Sequence, residues 1–259
     1  MTSALAQATA DKAVEQRKAP TARDLITQQL PQIELQLAGA MNSAAFVRAA
    51  ISSVQTSPEL QQATPSSLLG GIMLAAQLRL EIGPALGHFY LTPKRVRDQW
   101  TCLPIIGYQG YIELAYRSGR IEKIETFLVR KGDKFDHGAN SERGRYFDWT
   151  PQDYDEKREW IGVVAIAKIR GAGTVWAYLP KEKVFDRRPS YWERTPWKTN
   201  EEEMARKSGI RALAPYIPKS TELGKALEAD EHKVDSINGV HDLVITREEE
   251  AEEAPVEAS

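Results

Sequence analysis

The chain lacks most of the features that covalent catalysis, redox chemistry or membrane insertion require. Its 259 residues include one cysteine, Cys102, so an internal disulfide is excluded. Because Cys102 lies in the apolar run CLPIIG, we expect a buried small side chain rather than a nucleophile. No run of 18 apolar residues is present, and the N-terminal stretch has no signal-peptide-like apolar segment. These absences predict a cytoplasmic protein.

Sequence motifs for cofactors are also absent. The pattern G-x-x-x-x-G-K-[ST] does not occur, so there is no P-loop for ATP, and the four histidines show no zinc-ligand spacing. The segment KGDKFDHG contains Asp133, Asp136 and His137, which fit either a divalent-metal site or a turn. The intervening lysines favour the turn. We therefore expect neither a metal, a cofactor nor a catalytic triad.

Charge is distributed unevenly along the chain, although the net charge is only −2. Residues 88–219 contain 25 basic and 18 acidic residues, a net charge of +7. Residues 220–259 carry −9, and residues 1–87 are neutral. A basic middle followed by an acidic end is typical of a core that binds polyanions and a tail that solubilises it, competes with nucleic acid or docks a partner.

The first third of the chain is predicted to be helical. Residues 1–20 are polar and Ala-rich and indicate a flexible arm, whereas residues 21–82 show helical spacing of apolar residues. Thr21 and Asp24 form a capping-box pattern at the start. The apolar stripe packs either on its own domain or on a neighbouring subunit, and it comprises Leu25, Ile26, Leu30, Ile33, Leu37 and Met41.

Two extended apolar runs follow, GPALGHFYLTPK and WTCLPIIGY, joined by a charged link. They predict a β-hairpin with Lys94, Arg95 and Arg97 at or near its tip, where cations contact either phosphates or solvent. The next segment, YQGYIELAYRSG, predicts a helix with Ile112, Ala115 and Tyr116 inward, ended by Gly119. Its first turn is either a phosphate site or a strand-to-helix packing turn.

The second half is predicted to hold a largely antiparallel sheet. Ile121 to Arg130 reads as a strand, and Trp160 to Arg170 with Thr174 to Leu179 reads as a hairpin. Between them, residues 131–159 form a long polar excursion, typical of a functional or mobile loop. The following segment KEKVFDRRPSYWERTPW alternates cations with aromatic rings, which suits either a single-strand channel or a core.

The stretch TPWKTNEEEMARKSGIRALAPYIPKS (195–220) predicts a capped helix that carries regularly spaced cations. Asn200 is the expected N-cap, and three glutamates occupy the first turn, where the helix dipole favours negative charge. Lys207 and Arg211 share a face, while Arg206 lies with Ile210 on an adjacent stripe. The helix therefore offers either a grip on backbone phosphates or a solvated surface with an internal Glu203–Lys207 pair.

Three segments together resemble the RecT family of phage-type single-strand annealing proteins. They are LLGGIMLAAQLRLEIGPALGHFYLTPK (68–94), PIIGYQGYIELAYRSGRIEKI (104–124) and residues 195–220, so the resemblance spans roughly residues 65–220. It implies ATP-independent annealing of DNA strands by an oligomeric ring or filament. It also implies a phage-encoded exonuclease and a host single-strand-binding protein as partners, with Mg²⁺ limited to modulating DNA binding. Its motif matches include Tyr108, Arg117, Lys207 and Arg211.

We therefore predict an α+β protein with an arm (1–20), a helical lobe (21–82), a DNA-binding core with a largely antiparallel sheet (83–220) and a disordered acidic tail (221–259). The apolar island GVHDLVI in the tail is either a docking segment or a linker. The alternatives to annealing are an architectural or capsid-associated oligomer and a nuclease that binds metal through Asp133, Asp136 or Glu113. The predicted DNA contacts are Lys94, Arg95, Arg97, Tyr108, Gln109, Arg117, Arg187, Arg188, Tyr191, Trp192, Lys198, Arg206, Lys207, Arg211 and Lys219.

Overall fold

The computed structural model describes residues 20–142, 144–153, 155, 157–236 and 243–247. The predicted arm, residues 1–19, lies outside this part. The chain divides into two compact units. In the described residues, the first comprises residues 20–82, 91–104, 234–236 and 243–244, and the second comprises residues 83–90, 105–142, 144–153, 155, 157–233 and 245–247.

The first unit is built mainly from helices, as the apolar spacing predicts. The Thr21–Asp24 capping box is confirmed, with the Asp24 amide donating to the Thr21 hydroxyl and the Thr21 amide to the Asp24 carboxylate. The helical pattern is divided near Pro31, which lies in the first turn of a second helix, where no helical hydrogen bond needs its missing amide proton. The helices are α1 (Ala22–Gln28), α2 (Leu30–Leu37), α3 (Ser43–Gln55), α4 (Pro58–Gln61) and α5 (Pro65–Leu78).

The core of this unit forms around α5, which α1 and α2 both contact. Ile26, Ile33 and Leu37 of the predicted stripe are buried there, so part of the stripe packs on its own unit. Cys102 is buried against α5, and this burial raises the pKa of its thiol to about 12. The thiol is therefore protonated at neutral pH, as expected for a small core residue.

Two strands, β1 (Phe89–Val96) and β2 (Gln99–Ile106), form the predicted hairpin. Arg97 and Asp98 link the strands, and both have positive φ, 45° and 63°. A two-residue link with both residues left-handed is the type I′ turn, whose twist matches that of the strands. Arg97 therefore occupies the tip, as predicted from the charged link.

Helix α6 (Tyr108–Tyr116) opens the main part of the second unit. Gly119 follows it with a φ of 68°, which confirms the predicted left-handed stop. The predicted inward face is wrong at two positions, because Tyr116 is exposed and Ile112 is only half-buried. The buried face instead centres on Tyr111 and Leu114, which are fully inaccessible.

A three-stranded antiparallel sheet in the order β3-β6-β7 confirms the predicted strands. One face packs against α9 (Glu201–Leu213), where Gly209 lies against Val163 and Ala165 of β6. Any side chain at Gly209 would press on Val163, so this position keeps helix and sheet close. The strands are β3 (Ile121–Arg130), β6 (Trp160–Ile169) and β7 (Gly173–Pro180).

The other face of the sheet is covered by a hairpin where the sequence predicts only a long polar excursion. Its strands, β4 (Lys134–Asn140) and β5 (Gly144–Thr150), pair in regular antiparallel register. Trp149 stacks on Phe127 with ring centroids 4.1 Å apart, and Phe147 contacts Trp176 at 5.1 Å. Phe135, Phe147 and Trp149 therefore form the side of this hairpin that faces the sheet.

Short helices α7 (Lys181–Phe185) and α8 (Pro196–Thr199) precede α9. Asn200 holds the N-cap position of α9 but makes no side-chain capping bond, unlike the expectation. Trp197 of α8 is buried in a cluster with Val163, Val184 and Trp160, against which Trp192 packs. The aromatic residues of this segment thus build core as well as surface.

Beyond Ser220 the structure contains a helix, α10 (Thr221–Glu231), where the sequence predicts the start of the tail. Its apolar residues are few, but Leu223 and Ala226 are fully buried, and the Ser220 hydroxyl accepts the Leu223 amide proton as a cap. Two strands, β8 (His232–Ser236) and β9 (Leu243–Arg247), pair after it. The remaining tail, residues 237–242 and 248–259, lies outside the described residues, as does most of the island GVHDLVI. Within the described part, no helix is long and apolar enough to cross a membrane.

Candidate nucleic-acid interface

Helix α9 carries the predicted cations Arg206, Lys207 and Arg211. Glutamates in its first turn bind side chains of other elements and so fix its position. Glu202 accepts two hydrogen bonds from Arg130, at 3.0 and 3.1 Å, and Glu201 accepts one from the Trp160 indole at 2.9 Å. Arg188 also donates to Glu201. The first-turn glutamates therefore do more than favour the helix dipole, because they tie α9 to β3 and β6.

Lys207 and Arg211 lie on one face of α9, as their spacing predicts, and both meet the carboxylate of Asp230 on α10. The Lys207 ammonium donates to Oδ1 at 2.7 Å, and Nη1 of Arg211 lies 2.9 Å from Oδ2. Lys207 is only 7% exposed, with its ammonium 5.8 Å from the centroid of the Tyr111 ring. Lys207 thus pairs with Asp230, whereas the alternative of a solvated surface pairs it with Glu203.

The same contacts explain the ionisation of Asp230. Burial alone would raise its pKa, but the charges of Lys207 and Arg211, with hydrogen bonds from Lys207 and Tyr111, lower it. Asp230 is therefore a buried anion at neutral pH. One carboxylate is thus shared by two cations.

Arg187 lies beside this cluster and is a third cation there. It is exposed, and its guanidinium donates to the Ser208 carbonyl at 3.5 Å. Partial burial and the charge of Arg211 both lower the pKa of Arg187. A third cation held against like charge favours binding of an anion such as a phosphodiester.

Other predicted contacts on this helix and before it are occupied by the protein itself. Arg206 donates to the Thr126 carbonyl of β3 at 2.8 Å. Arg188 lies 3.4 Å above the Phe185 ring centroid and 4.7 Å above that of Trp192. Arg206, Arg188 and Trp192 thus have structural contacts that account for their positions.

The surface of the segment from α7 to α10 carries the remaining candidates. Lys198 and Lys219 are exposed, and Tyr191 is 36% exposed. These side chains can meet DNA without rearrangement of the core. Whether each does so stays a prediction.

The GYQG turn at the start of α6 serves packing. A Cβ at Gly107 would overlap the Gly87 carbonyl oxygen, and one at Gly110 would overlap that of His88. Both glycines therefore allow close backbone approach, in agreement with the packing-turn interpretation. Between them, Tyr108 is half-buried and Gln109 is exposed.

Near the other end of α6, Arg117 forms a 3.2 Å ion pair with Glu113. Both side chains are partly accessible, at 25% and 42%. The glutamate that the nuclease alternative requires as a metal ligand is therefore paired with an arginine one helical turn away.

The β1–β2 hairpin of the first unit carries its own basic group. Arg95 lies 3.3 Å from Asp98 and over the Trp100 ring, with its guanidinium carbon 5.8 Å from the centroid. Arg97 is exposed at the tip, and Lys94 is half-buried in β1. The hairpin therefore combines cations with an accessible aromatic ring, the composition of single-strand binding surfaces.

Sequence reasoning missed two residues. Asp230 is assigned to the tail, and the sequence offers no signal for its partners because 23 residues separate it from Lys207. Arg145 of β5 is also missed, although it lies over both the Trp176 ring at 4.8 Å and the Tyr216 ring at 5.2 Å. An arginine between aromatic positions of a hairpin is the one available sign of such a stack.

The carboxylates of the nuclease alternative do not converge. Asp133 accepts hydrogen bonds from the Arg130 amide, the Trp149 indole and Arg158, at 2.8 to 3.0 Å. Asp136 lies on exposed β4. In the part of the chain that the structure describes, no group of three His, Cys, Asp or Glu side chains is placed to hold a metal ion.

Comparison with known proteins identifies the family. The RecT family profile matches residues 44–253. Protein RecT of Escherichia coli (strain K12) is 31% identical over 228 residues, which cover 84% of each chain. The uncharacterized protein YqaK of Bacillus subtilis (strain 168) is 27% identical over 197 residues, which cover 72% of this chain and 64% of YqaK. The chain therefore belongs to the RecT family of DNA recombination and annealing proteins.

Proposed function

We propose that this protein anneals complementary DNA strands without ATP, by holding the backbone phosphates of single strands on a row of cations. The observation that carries the proposal is a group of three cations at α9, where Lys207 and Arg211 share the carboxylate of Asp230 and Arg187 lies beside them. Family membership favours DNA over other anions as the ligand of these cations.

The mechanism is electrostatic and entropic. Cations that neutralise phosphates reduce repulsion between two strands, and a strand held with its bases splayed is aligned for pairing. Phosphate contacts do not depend on base identity, so pairing itself supplies the specificity. No bond is made or broken in this process, and the protein is not an enzyme in the usual sense.

One chain covers few nucleotides, so a continuous row of contacts requires several copies. We propose a homo-oligomer, as a ring or a helical filament, that binds single strands and retains the annealed duplex. ATP is not needed, and Mg²⁺ acts only by modulating DNA binding. A phage-encoded exonuclease and the host single-strand-binding protein are the proposed partners, in the bacterial cytoplasm.

Within the row, we assign direct phosphate contact to the exposed cations Arg187, Lys198 and Lys219, and stacking to Tyr191. Arg95 and Arg97 at the hairpin tip form a second group. Arg188 and Arg206 support the fold, because their guanidinium groups bind Glu201 and the Thr126 carbonyl.

The test is binding of a fluorescent oligo-dT strand across a salt series. Arg187→Gln should reduce the affinity. It should also make the negative slope of log K against log salt shallower by about 0.7, the contribution of one phosphate contact in a single strand. The control is Lys168→Gln, which removes an equal charge from a lysine paired with Glu122 on the sheet. It should leave both values unchanged.

Three results would contradict the proposal. Absence of salt-dependent binding would favour an architectural role. Magnesium-dependent loss of intact labelled DNA would favour the nuclease. Equal effects of Arg187→Gln and Lys168→Gln would show that Arg187 makes no phosphate contact.

A further inference from the structure

The Asp230 carboxylate is held in the manner of a bound phosphate. Its two oxygens meet one cation each, Lys207 at 2.7 Å and Arg211 at 2.9 Å. Two oxygens of a phosphodiester present the same pattern of charge to the same two groups. The side chains of Lys207 and Asp230 are 9% and 13% exposed, so Lys207 cannot reach DNA while Asp230 is in place.

The position of Asp230 in α10 is electrostatically unfavourable without those cations. Three of the last four residues of the helix are acidic, Glu228, Asp230 and Glu231, and the last turn has no basic residue. The C-terminal end of a helix carries partial negative charge, so acidic residues there weaken the last turn. Lys207 and Arg211 therefore hold in place a turn that its own sequence disfavours.

The rest of α10 is fixed independently of Asp230. Ser220 caps its start and donates to the Leu114 carbonyl, and Leu223 and Ala226 are fully buried. Release of Asp230 thus requires only the last turn to unwind, while the first two turns stay packed.

We propose that Asp230 is an internal substitute for a DNA phosphate, which leaves Lys207 and Arg211 when a single strand binds. The exchange opens the last turn of α10 and admits a backbone phosphate to the buried Lys207. This inference rests on the proposed function. It makes the contact of Asp230 with Lys207 and Arg211 autoinhibitory, because that contact lowers the affinity for single-stranded DNA. A DNA strand that contacts Arg187 through one phosphate can present a second phosphate to Lys207 and Arg211. The strand therefore displaces Asp230 more readily than a single free anion does.

The first test compares Asp230→Asn with Glu228→Gln by binding of oligo-dT. Asparagine keeps the shape and one acceptor oxygen but removes the competing charge, so affinity should rise about fivefold or more, within the usual range of coupling between sites. Glu228→Gln removes the same charge from an exposed position of the same helix and should change affinity little. Equal or weaker binding by Asp230→Asn would overturn the proposal.

The second test uses the unaltered protein, so it does not depend on how well Asp230→Asn folds. Oligo-dT should accelerate hydrogen exchange at the amides of residues 228–231 and leave those of residues 224–227 protected. Unchanged or greater protection of residues 228–231 in the complex would make Asp230 a fixed support of Lys207. If the protein binds no DNA at all, the proposed function itself fails. If it binds with residues 228–231 closed, only the exchange fails.

Discussion

At the scale of single residues, Asp133 shows how a buried carboxylate fastens the β4–β5 hairpin. Its side chain is 1% exposed and accepts hydrogen bonds from Arg158, Trp149 and two backbone amides. Burial by itself raises the pKa of Asp133, but these bonds together lower it from 3.8 to about 2. The folded chain therefore keeps this group ionised in acid where an unfolded chain would not.

The sign of the pH effect follows from that shift. Asp133 contributes stability that is fully present above pH 3.8 and is lost as the pH falls through about 2. Asp133→Asn should lower the free energy of unfolding by about 2 kcal/mol at neutral pH, because a charge-assisted hydrogen bond is lost. The substitution should also weaken the pH dependence of the unfolding free energy between those two pH values. Urea unfolding at several pH values measures both effects.

The control for this experiment is Asp136→Asn, an exposed aspartate on the same hairpin. It should leave stability and its pH dependence almost unchanged. If the unfolding free energies of the wild type and of Asp133→Asn fall equally with decreasing pH, Asp133 does not anchor the hairpin.

The residue scale also shows where sequence reasoning stops. The spacing of Lys207 and Arg211 correctly places them on one face of α9, but it cannot reveal that Asp230 covers them. Arg187 and Arg188 are neighbours in sequence with equal charge, yet Arg187 is exposed and Arg188 lies over aromatic rings. Such differences depend on tertiary packing, which local patterns do not encode.

At the scale of elements, the packing of α6 against the segment that precedes β1 depends on backbone proximity within the second unit. Gly110→Ala should cost about 3 kcal/mol of unfolding free energy, since its Cβ would overlap the His88 carbonyl and the backbone cannot move aside cheaply. Gly224→Ala in α10 is the matched control, because the added Cβ has no atom within 4 Å apart from its chain neighbours and the backbone of its own helix. Alanine there should stabilise by about 0.5–1 kcal/mol through helix propensity.

Thermal and urea unfolding of the two variants check this contrast. A small loss for Gly110→Ala, similar in size to the change at Gly224, would contradict the packing role of the GYQG turn. A large loss of DNA binding with intact stability would instead support a phosphate site at the start of α6.

Elements with strong periodicity were predictable from the sequence, and elements without it were not. Strands β3, β6 and β7 alternate or run apolar between glycine turns, and α9 has an acidic start and regular apolar spacing. The β4–β5 hairpin has charges on its exposed side and rings on its buried side, so its low overall hydropathy resembles a loop. Helix α10 buries only a few residues, among them Leu223 and Ala226, too few for a periodic signal.

At the scale of the whole molecule, the charge pattern is consistent with the proposed role. The basic middle of the sequence contains the α9 cluster, and the acidic residues after Ser220 include Asp230, which binds that cluster. Part of the charge of the C-terminal segment therefore lies within the proposed DNA site. The basic segment, with a net charge of +7, and the acidic segment, with −9, thus meet where α9 contacts α10.

The measurement that tests the central claim most directly is fluorescence annealing of two complementary oligonucleotides, added one after the other to the protein without ATP. The wild type should accelerate annealing, and Arg187→Gln/Lys198→Gln should lose most of that acceleration. Lys123→Gln/Lys168→Gln, which removes two exposed lysine charges from the sheet, should retain it. No acceleration by folded wild-type protein, with the DNA intact, would contradict annealing as the function of this chain.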